Sequence, residues 1–328
     1  SVGKLSLETE QVNPVIGQPA GSKVVYDNAN DDYVFAYWLT PNQQKVYDFE
    51  IMPTQKDHVW VSETYKAVFL PDENHNGKPD ENEVLSMYYD ANGGSGSVID
   101  EMMYHVKDQV LIKDNDFTYP KENVIFIGWS KQPFTVILAD GKAPQEMLQP
   151  KDSFAIMETT TLYAVWAMDE NGNHIPDYQE SLSMNYDANG GSGSVIDEMT
   201  YHVKDQVLVK DNAFTYPKEN VIFIGWSKQP FTVILADGKA PQEMLQPKDS
   251  FAIMETTTLY AVWAMDENGN HIPDYQESLS MNYDANGGSG SVIDEMTYHV
   301  KDQVLVKDNA FTHPKENVIF IGWSKQPL

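Results

Sequence analysis

Val221-Ile222-Phe223-Ile224-Gly225-Trp226 and Thr258-Leu259-Tyr260-Ala261-Val262-Trp263 are the two stretches on which the fold turns. Each is a short apolar run rich in β-branched and aromatic residues, which reads as a buried strand rather than a helix. Ahead of them, Leu182-Ser183-Met184-Asn185-Tyr186 alternates apolar and polar residues and predicts a half-buried opening strand. Asn189-Gly190-Gly191-Ser192-Gly193 predicts a turn. Met199 to Val209 predicts a longer, partly alternating strand with Lys204, Asp205 and Gln206 among its apolar members. Pro217, Pro230, Pro241 and Pro247 leave no room for a long helix, only for a short helical turn around Pro241 to Leu245. The expected class is therefore mainly β, or α+β. Trp226, Trp263, Phe223 and Tyr260 at strand spacing are core residues on this reading.

The same unit recurs. Tyr89-Asp90-Ala91-Asn92-Gly93-Gly94 returns as Tyr186 to Gly191 and again as Tyr283 to Gly288, a period of 186 − 89 = 97 residues. Residues 84–180 and 181–277 differ only at Val84/Ser181, Tyr88/Asn185, Met103/Thr200, Ile112/Val209 and Asp116/Ala213. A 97-residue period is the size of a small domain, not of a solenoid turn. Adjacent near-identical copies suit a stalk or a multivalent binder, which gain reach or avidity from each copy, better than they suit catalysis.

The Tyr-Asp-Ala-Asn-Gly-Gly segment, Phe214-Thr215 with Pro217, Phe223-Ile224-Gly225-Trp226 and Thr258 to Trp263 together resemble the Listeria–Bacteroides repeat, the B-repeat of internalin-type surface proteins. That resemblance covers about 80 residues of each unit. It implies small β-grasp-like domains in tandem in a cell-wall-attached or secreted bacterial protein. The unit departs from shorter repeats of that kind by an insertion, roughly Thr232 to Lys248.

Between units lies an acidic twelve-residue segment. Asp72-Glu73-Asn74-His75-Asn76-Gly77-Lys78-Pro79-Asp80-Glu81-Asn82-Glu83 fits a calcium loop position by position. Side-chain oxygens fall at positions 1, 3, 5 and 9 (Asp72, Asn74, Asn76, Asp80). Lys78 offers a backbone carbonyl at 7, and Glu83 closes the loop at 12. The register returns with Asp169, Asn171, Asn173, Ile175, Asp177 and Glu180, and with Asp266, Asn268, Asn270, Ile272, Asp274 and Glu277. Alternate residues point inward, so six to eight oxygens can surround a hard cation, and Ca²⁺ is the expected cofactor. Position 6 is Gly77 in the first loop but His174 and His271 in the others, which predicts an altered or weaker turn there. Strands rather than helices precede the loops, and the segment resembles the bacterial thrombospondin type 3 repeat, a calcium-binding linker of secreted proteins. With Asn at two ligand positions per loop, affinity should lie on the order of 0.1–1 mM.

These landmarks divide the chain into an N-terminal β-rich region 1–71, metal-loop linkers 72–83, 169–180 and 266–277, repeats 84–168 and 181–265, and an incomplete third repeat 278–328. In the first region, Val34 to Trp38 and Thr64 to Phe69 align with the Gly-Trp and closing strands, so it reads as a diverged repeat or an immunoglobulin-like domain. The third repeat stops before the insertion and closing strand, which leaves an open edge able to recruit a strand head to tail from another copy. No signal peptide is visible at the start, as in a mature or excised fragment.

Composition narrows the function. The formal net charge is −27, with 22 basic residues, all Lys, against 49 Asp and Glu, which argues against nucleic acid and anionic membrane as partners. There is no Cys, so disulfides and thiolate chemistry are excluded, and no apolar run is long enough to span a bilayer. The eight His form no His-x-x-x-His pair, and no nucleophile elbow or phosphate loop occurs. The chain is expected not to be an enzyme. It should be an extracellular calcium-stiffened stalk, or a multivalent module that binds a host protein or glycan. A Lys–Asn isopeptide cross-link would suit a cysteine-free stalk, but the sequence selects no partners for one.

Overall fold

The computed structural model describes residues 3–25 and 32–326. The first two residues and segment 26–31 of the N-terminal region, and the last two of the third repeat, lie outside the described residues. The chain divides into two compact units, Ser1–Tyr178 and Gln179–Leu328. Among the described residues the structure is mainly β, with three single-turn 3₁₀ segments and no α-helix. The short helical turn considered around Pro241 to Leu245 is a pair of bends.

Each complete repeat is built on its closing strand, Thr160–Met168 or Thr257–Met265. On one side runs the Gly-Trp strand, Val124–Ser130 or Val221–Ser227, antiparallel to it. On the other runs the opening strand, Met87–Asp90 or Met184–Asp187, parallel to its first half. Leu162, Ala164 and Trp166 point into one core with Trp129, Phe117 and Ile156. Val165 and Ala167 point the other way, toward Ile127 and Ile137. A strand buried on both faces explains why its sequence is apolar almost without alternation.

A bulge fixes the Gly-Trp strand. The register shifts between Phe126 and Gly128, and Gly128 sits at φ 149°. A Cβ there would lie 2.7 Å from Gln149 Nε2 and 3.1 Å from the Leu148 carbonyl oxygen. The bulged Ile127 carbonyl, released from the ladder, accepts the Gln149 side-chain amide at 3.0 Å. Trp129 then enters the core fully buried, its Nε1 donating to the Lys113 carbonyl at 3.1 Å.

The Tyr-Asp-Ala-Asn-Gly-Gly segment ties the opening strand to the rest. Asp90 accepts the Asn92 N–H at 2.7 Å, which holds Asn92 at φ 48°. The Asn92 amide donates to the carbonyls of Phe134 and Ala164 at 2.7 and 2.8 Å. The Ala91 carbonyl accepts Trp166 Nε1 at 2.8 Å. One asparagine thus joins the first turn, the start of the insertion and the closing strand.

The insertion covers the second face and pairs with the outer edge of the Gly-Trp strand and with the second half of the closing strand, beyond the reach of the opening strand. Leu148 exchanges hydrogen bonds with Trp129 at 2.8 and 2.9 Å, while Ile137 bridges to the closing strand beside Ala167. Covering free strand edges removes pairing sites for other chains.

One sequence expectation fails in detail. Met199 to Val209 is not one strand: only Gln206–Leu208 is, because Lys204 at φ 72° turns the chain after an isolated bridge at Tyr201. Among the described residues of the third repeat the paired strands are Leu279–Ser280 and Thr297–Tyr298, with an isolated bridge between Ser289 and Thr312. The residues aligned with the Gly-Trp strand form none, and Ile319 and Ile321 are 79% and 88% exposed where Ile125, Ile127, Ile222 and Ile224 are half-buried. In the N-terminal region Tyr33–Leu39 pairs antiparallel with Lys66–Pro71, and Trp38 faces Ala67 across a register shift as Trp129 faces Ala164.

Two measurements test these contacts. Asn92→Ala with Asn189→Ala should destabilise each complete repeat by about 1–3 kcal/mol, because two carbonyls lose their donor in the interior; a shift within error in denaturant unfolding would contradict the tie. Burial, and then the hydrogen bond donated to Asp100 or Asp197, push the Tyr104 and Tyr201 phenols up to about 12. The folded state holds these protons more tightly than the unfolded chain, so the stability they confer is intact below about pH 10 and lost toward pH 12. Ultraviolet titration should show these phenols ionising late, with unfolding.

Candidate metal loops

Each loop starts where a closing strand ends. Asp72, Asp169 and Asp266 at position 1 are buried, at 4%, 3% and 2% exposure. Asp72 accepts the N–H groups of Asn76 and Gly77 at 3.0 and 2.9 Å, one on each oxygen. Asp169 does the same for Asn173 and His174, and Asp266 for Asn270 and His271. Asn74 Oδ1 accepts the Asn76 N–H and Asn76 Oδ1 accepts the Lys78 N–H, at 3.2 and 2.9 Å. Asn171 and Asn173, then Asn268 and Asn270, repeat these turns, the latter of each pair accepting from Ile175 or Ile272. At position 9 the carboxylates of Asp80, Asp177 and Asp274 accept the N–H of Glu73, Glu170 and Glu267 near 3 Å.

Position 12 closes the first and third loops. Glu83 accepts Asn74 Nδ2 at 2.8 Å on one oxygen and Asn76 Nδ2 at 2.5 Å on the other. Glu277 takes Asn268 and Asn270 in the same way, at 2.8 and 2.6 Å. Positions 3, 5 and 12 are therefore brought together within these two loops, while the carboxylates at 1 and 9 hold the loop backbone. The second loop divides between the compact units: Asp169 to Asp177 belong to the first and Glu180 to the second.

The donor set fits a hard cation, with oxygens only and both Glu oxygens turned inward. Each carboxamide turns its nitrogen to the Glu and its oxygen to a backbone N–H, so holding a cation would require Asn74 and Asn76 to exchange these partners. Among the described residues no three His, Asp or Glu side chains gather at one point. The three carboxylates of each set, at positions 1, 9 and 12, are thus not drawn to one point, and in the first and third loops it is positions 3, 5 and 12 that are joined through side chains. Asp274 is pushed above the usual carboxylate range by burial, and then by Glu267, Glu277 and Asp266 nearby, against the hydrogen bond it accepts from the Glu267 backbone.

The turn at position 6 corrects an expectation. Positions 4 and 6 are both left-handed: His75 and Gly77 at φ 57° and 84°, Gly172 and His174 at 71° and 65°, Gly269 and His271 at 72° and 65°. Each loop supplies one Gly and one His in exchanged order. The second and third loops are therefore no more strained than the first.

Sequence reasoning overlooked the residues that anchor the loops. Tyr178 and Tyr275 pack against the Val165–Ala167 and Val262–Ala264 clusters of the preceding repeat. Glu73 at position 2 meets Lys107 of the following repeat at 2.7 Å, and Glu267 meets Lys301 at 2.7 Å while accepting Asn220 Nδ2 at 3.0 Å. Asn74 also donates to the Met157 carbonyl at 2.9 Å. The signal was a Glu at position 2 of every loop. Ion pairs of this kind, with the lysine in solvent, orient the linker more than they stabilise it.

No family model matches this chain, and no match is found among curated proteins or solved structures.

Titration calorimetry at millimolar calcium tests the loops. Glu83→Ala should weaken only the first site and Glu277→Ala only the third, each by at least about tenfold. Absence of binding heat from the unmodified chain would rule the loops out as calcium sites.

Proposed function

We propose that this chain is a calcium-stiffened repetitive stalk of a bacterial cell-surface or secreted adhesin. It would be an extended tandem array of β-grasp-like domains that spaces or presents a binding region, and not an enzyme. The observation that carries this reading is the double attachment of the linker. The first loop begins on a closing strand, with the Asp72 N–H on the Asp32 carbonyl at 2.8 Å, and reaches forward to Lys107 and Met157. Calcium, when bound, would supply the charge that gathers the loop's oxygens, and the loop's own residues would pass that rigidity to both neighbours.

The parallel pairing of opening and closing strands supports the β-grasp-like reading, while the lack of an α-helix among the described residues is a departure from it. The near-identity of the copies supports repetition for reach. A second reading, a multivalent module for a host protein or glycan, is favoured by a cleft that recurs at the same place in both complete repeats.

Small-angle scattering tests the stalk. Domains of about 13 Å radius of gyration in line should give a maximum dimension above about 100 Å in calcium. A chelator should broaden or shorten that distribution by freeing the linkers. A maximum dimension unchanged by chelation would mean that the loops do not set the spacing.

A further inference from the structure

We propose that each complete repeat carries a binding site for a neutral saccharide, in the cleft at the start of its closing strand. The cleft measures about 300 Å³ in the first repeat and 330 Å³ in the second. Three elements meet there. The closing strand alternates, so Thr161 and Tyr163 face the cleft side while Leu162 is buried opposite. Lys131 follows the Gly-Trp strand directly, and the hairpin strand Ser153–Ala155 brings Phe154, with Met157 and Glu158 in the turn after it. The second repeat places Lys228, Phe251, Met254, Glu255, Thr258 and Tyr260 identically.

The chemistry of this lining selects the ligand. In a chain of 49 acidic and 22 basic residues, Lys131 and Lys228 have no carboxylate within 4.0 Å among the described residues. Each ammonium instead stands 5.2 or 5.1 Å over a phenylalanine ring. Lys131 and Glu158 place one charge of each sign in the cleft, so these two side chains give it no net charge. A neutral polyol is repelled by neither, because its hydroxyls accept from the ammonium and donate to the carboxylate. The threonine and tyrosine hydroxyls extend that pattern, and Met157 offers an apolar surface beside them. A cleft of this size sits at the small end of ligand sites. Single-site affinity should be weak, with two copies on one chain supplying avidity for a polymer. The site stands whether or not the loops bind calcium.

Saturation-transfer NMR on the full chain in chelator, with cellobiose, chitobiose, lactose and maltose each at about 10 mM, reads binding in the millimolar range. Transfer to at least one of the four is expected. Lys131→Met with Lys228→Met, and separately Thr161→Val with Thr258→Val, should weaken it about tenfold or more. Lys142→Met with Lys239→Met, the same charge change on the exposed insertion, should leave it unchanged. Thermal unfolding of each variant confirms that the repeats remain folded. Absence of transfer from all four sugars, or equal losses in cleft and control variants, would overturn the assignment.

Discussion

The closing strand is the constraint on which each repeat depends. It alone bonds to both the opening and the Gly-Trp strands, and its side chains enter both hydrophobic clusters. Among the described residues of the third repeat no strand stands beside the Gly-Trp segment as Thr257–Met265 does in the second. That third Gly-Trp segment keeps the ring contacts of Trp323 with Tyr283 and Phe320, at 4.8 and 4.9 Å, and the Nε1 bond to the Lys307 carbonyl. It does not form a strand, and its isoleucines face solvent. Local aromatic clustering survives without the long-range ladder, whereas the extended backbone does not.

Much of this could be read from the residues, because the opening, Gly-Trp and closing strands are short apolar runs of types that favour strands. Their order within the sheet could not. Parallel pairing of Met184–Asp187 with the closing strand is a contact between residues 73 apart, from 184 to 257, and no local pattern encodes it. The segment after Met199 misled because the left-handed turn falls on Lys204, a residue type that gives no warning of positive φ. The role of the insertion was also hidden, since its residues alternate with neither strand nor helix period and serve to strap edges already formed.

In the loops the oxygen-bearing positions were legible, and the backbone was only half so. Gly77 announced one left-handed position, but the second stands where glycine and histidine exchange places between copies. Across the three loops the constraint lies on the pair of positions and not on either alone. The anchoring contacts were invisible because they run outward: Tyr275 packs into the preceding repeat while Glu267 reaches the following one. A loop read as an isolated ion-binding motif gives no reason for either residue.

Those outward contacts join the electrostatics to the proposed mechanics. Asp266 and Asp274 are buried in a chain of net charge −27, and burial together with neighbouring carboxylates raises the Asp274 carboxyl. A raised acid favours the folded loop at low pH, and this contribution is lost as pH rises through its folded value, so at neutral pH the ionised loop is under electrostatic load. Lys301 offsets part of that load from outside, at Glu267, and holds the Glu267 carboxyl below its usual range together with Asn220. The side-chain positions of this loop, Asp266, Asn268, Asn270, Asp274 and Glu277, hold carboxylates and carboxamides. If the loops bind calcium as proposed, a linker with this charge pattern, pinned by Tyr275 behind and Lys301 ahead, would gain from a divalent ion the charge that offsets the rest of that load.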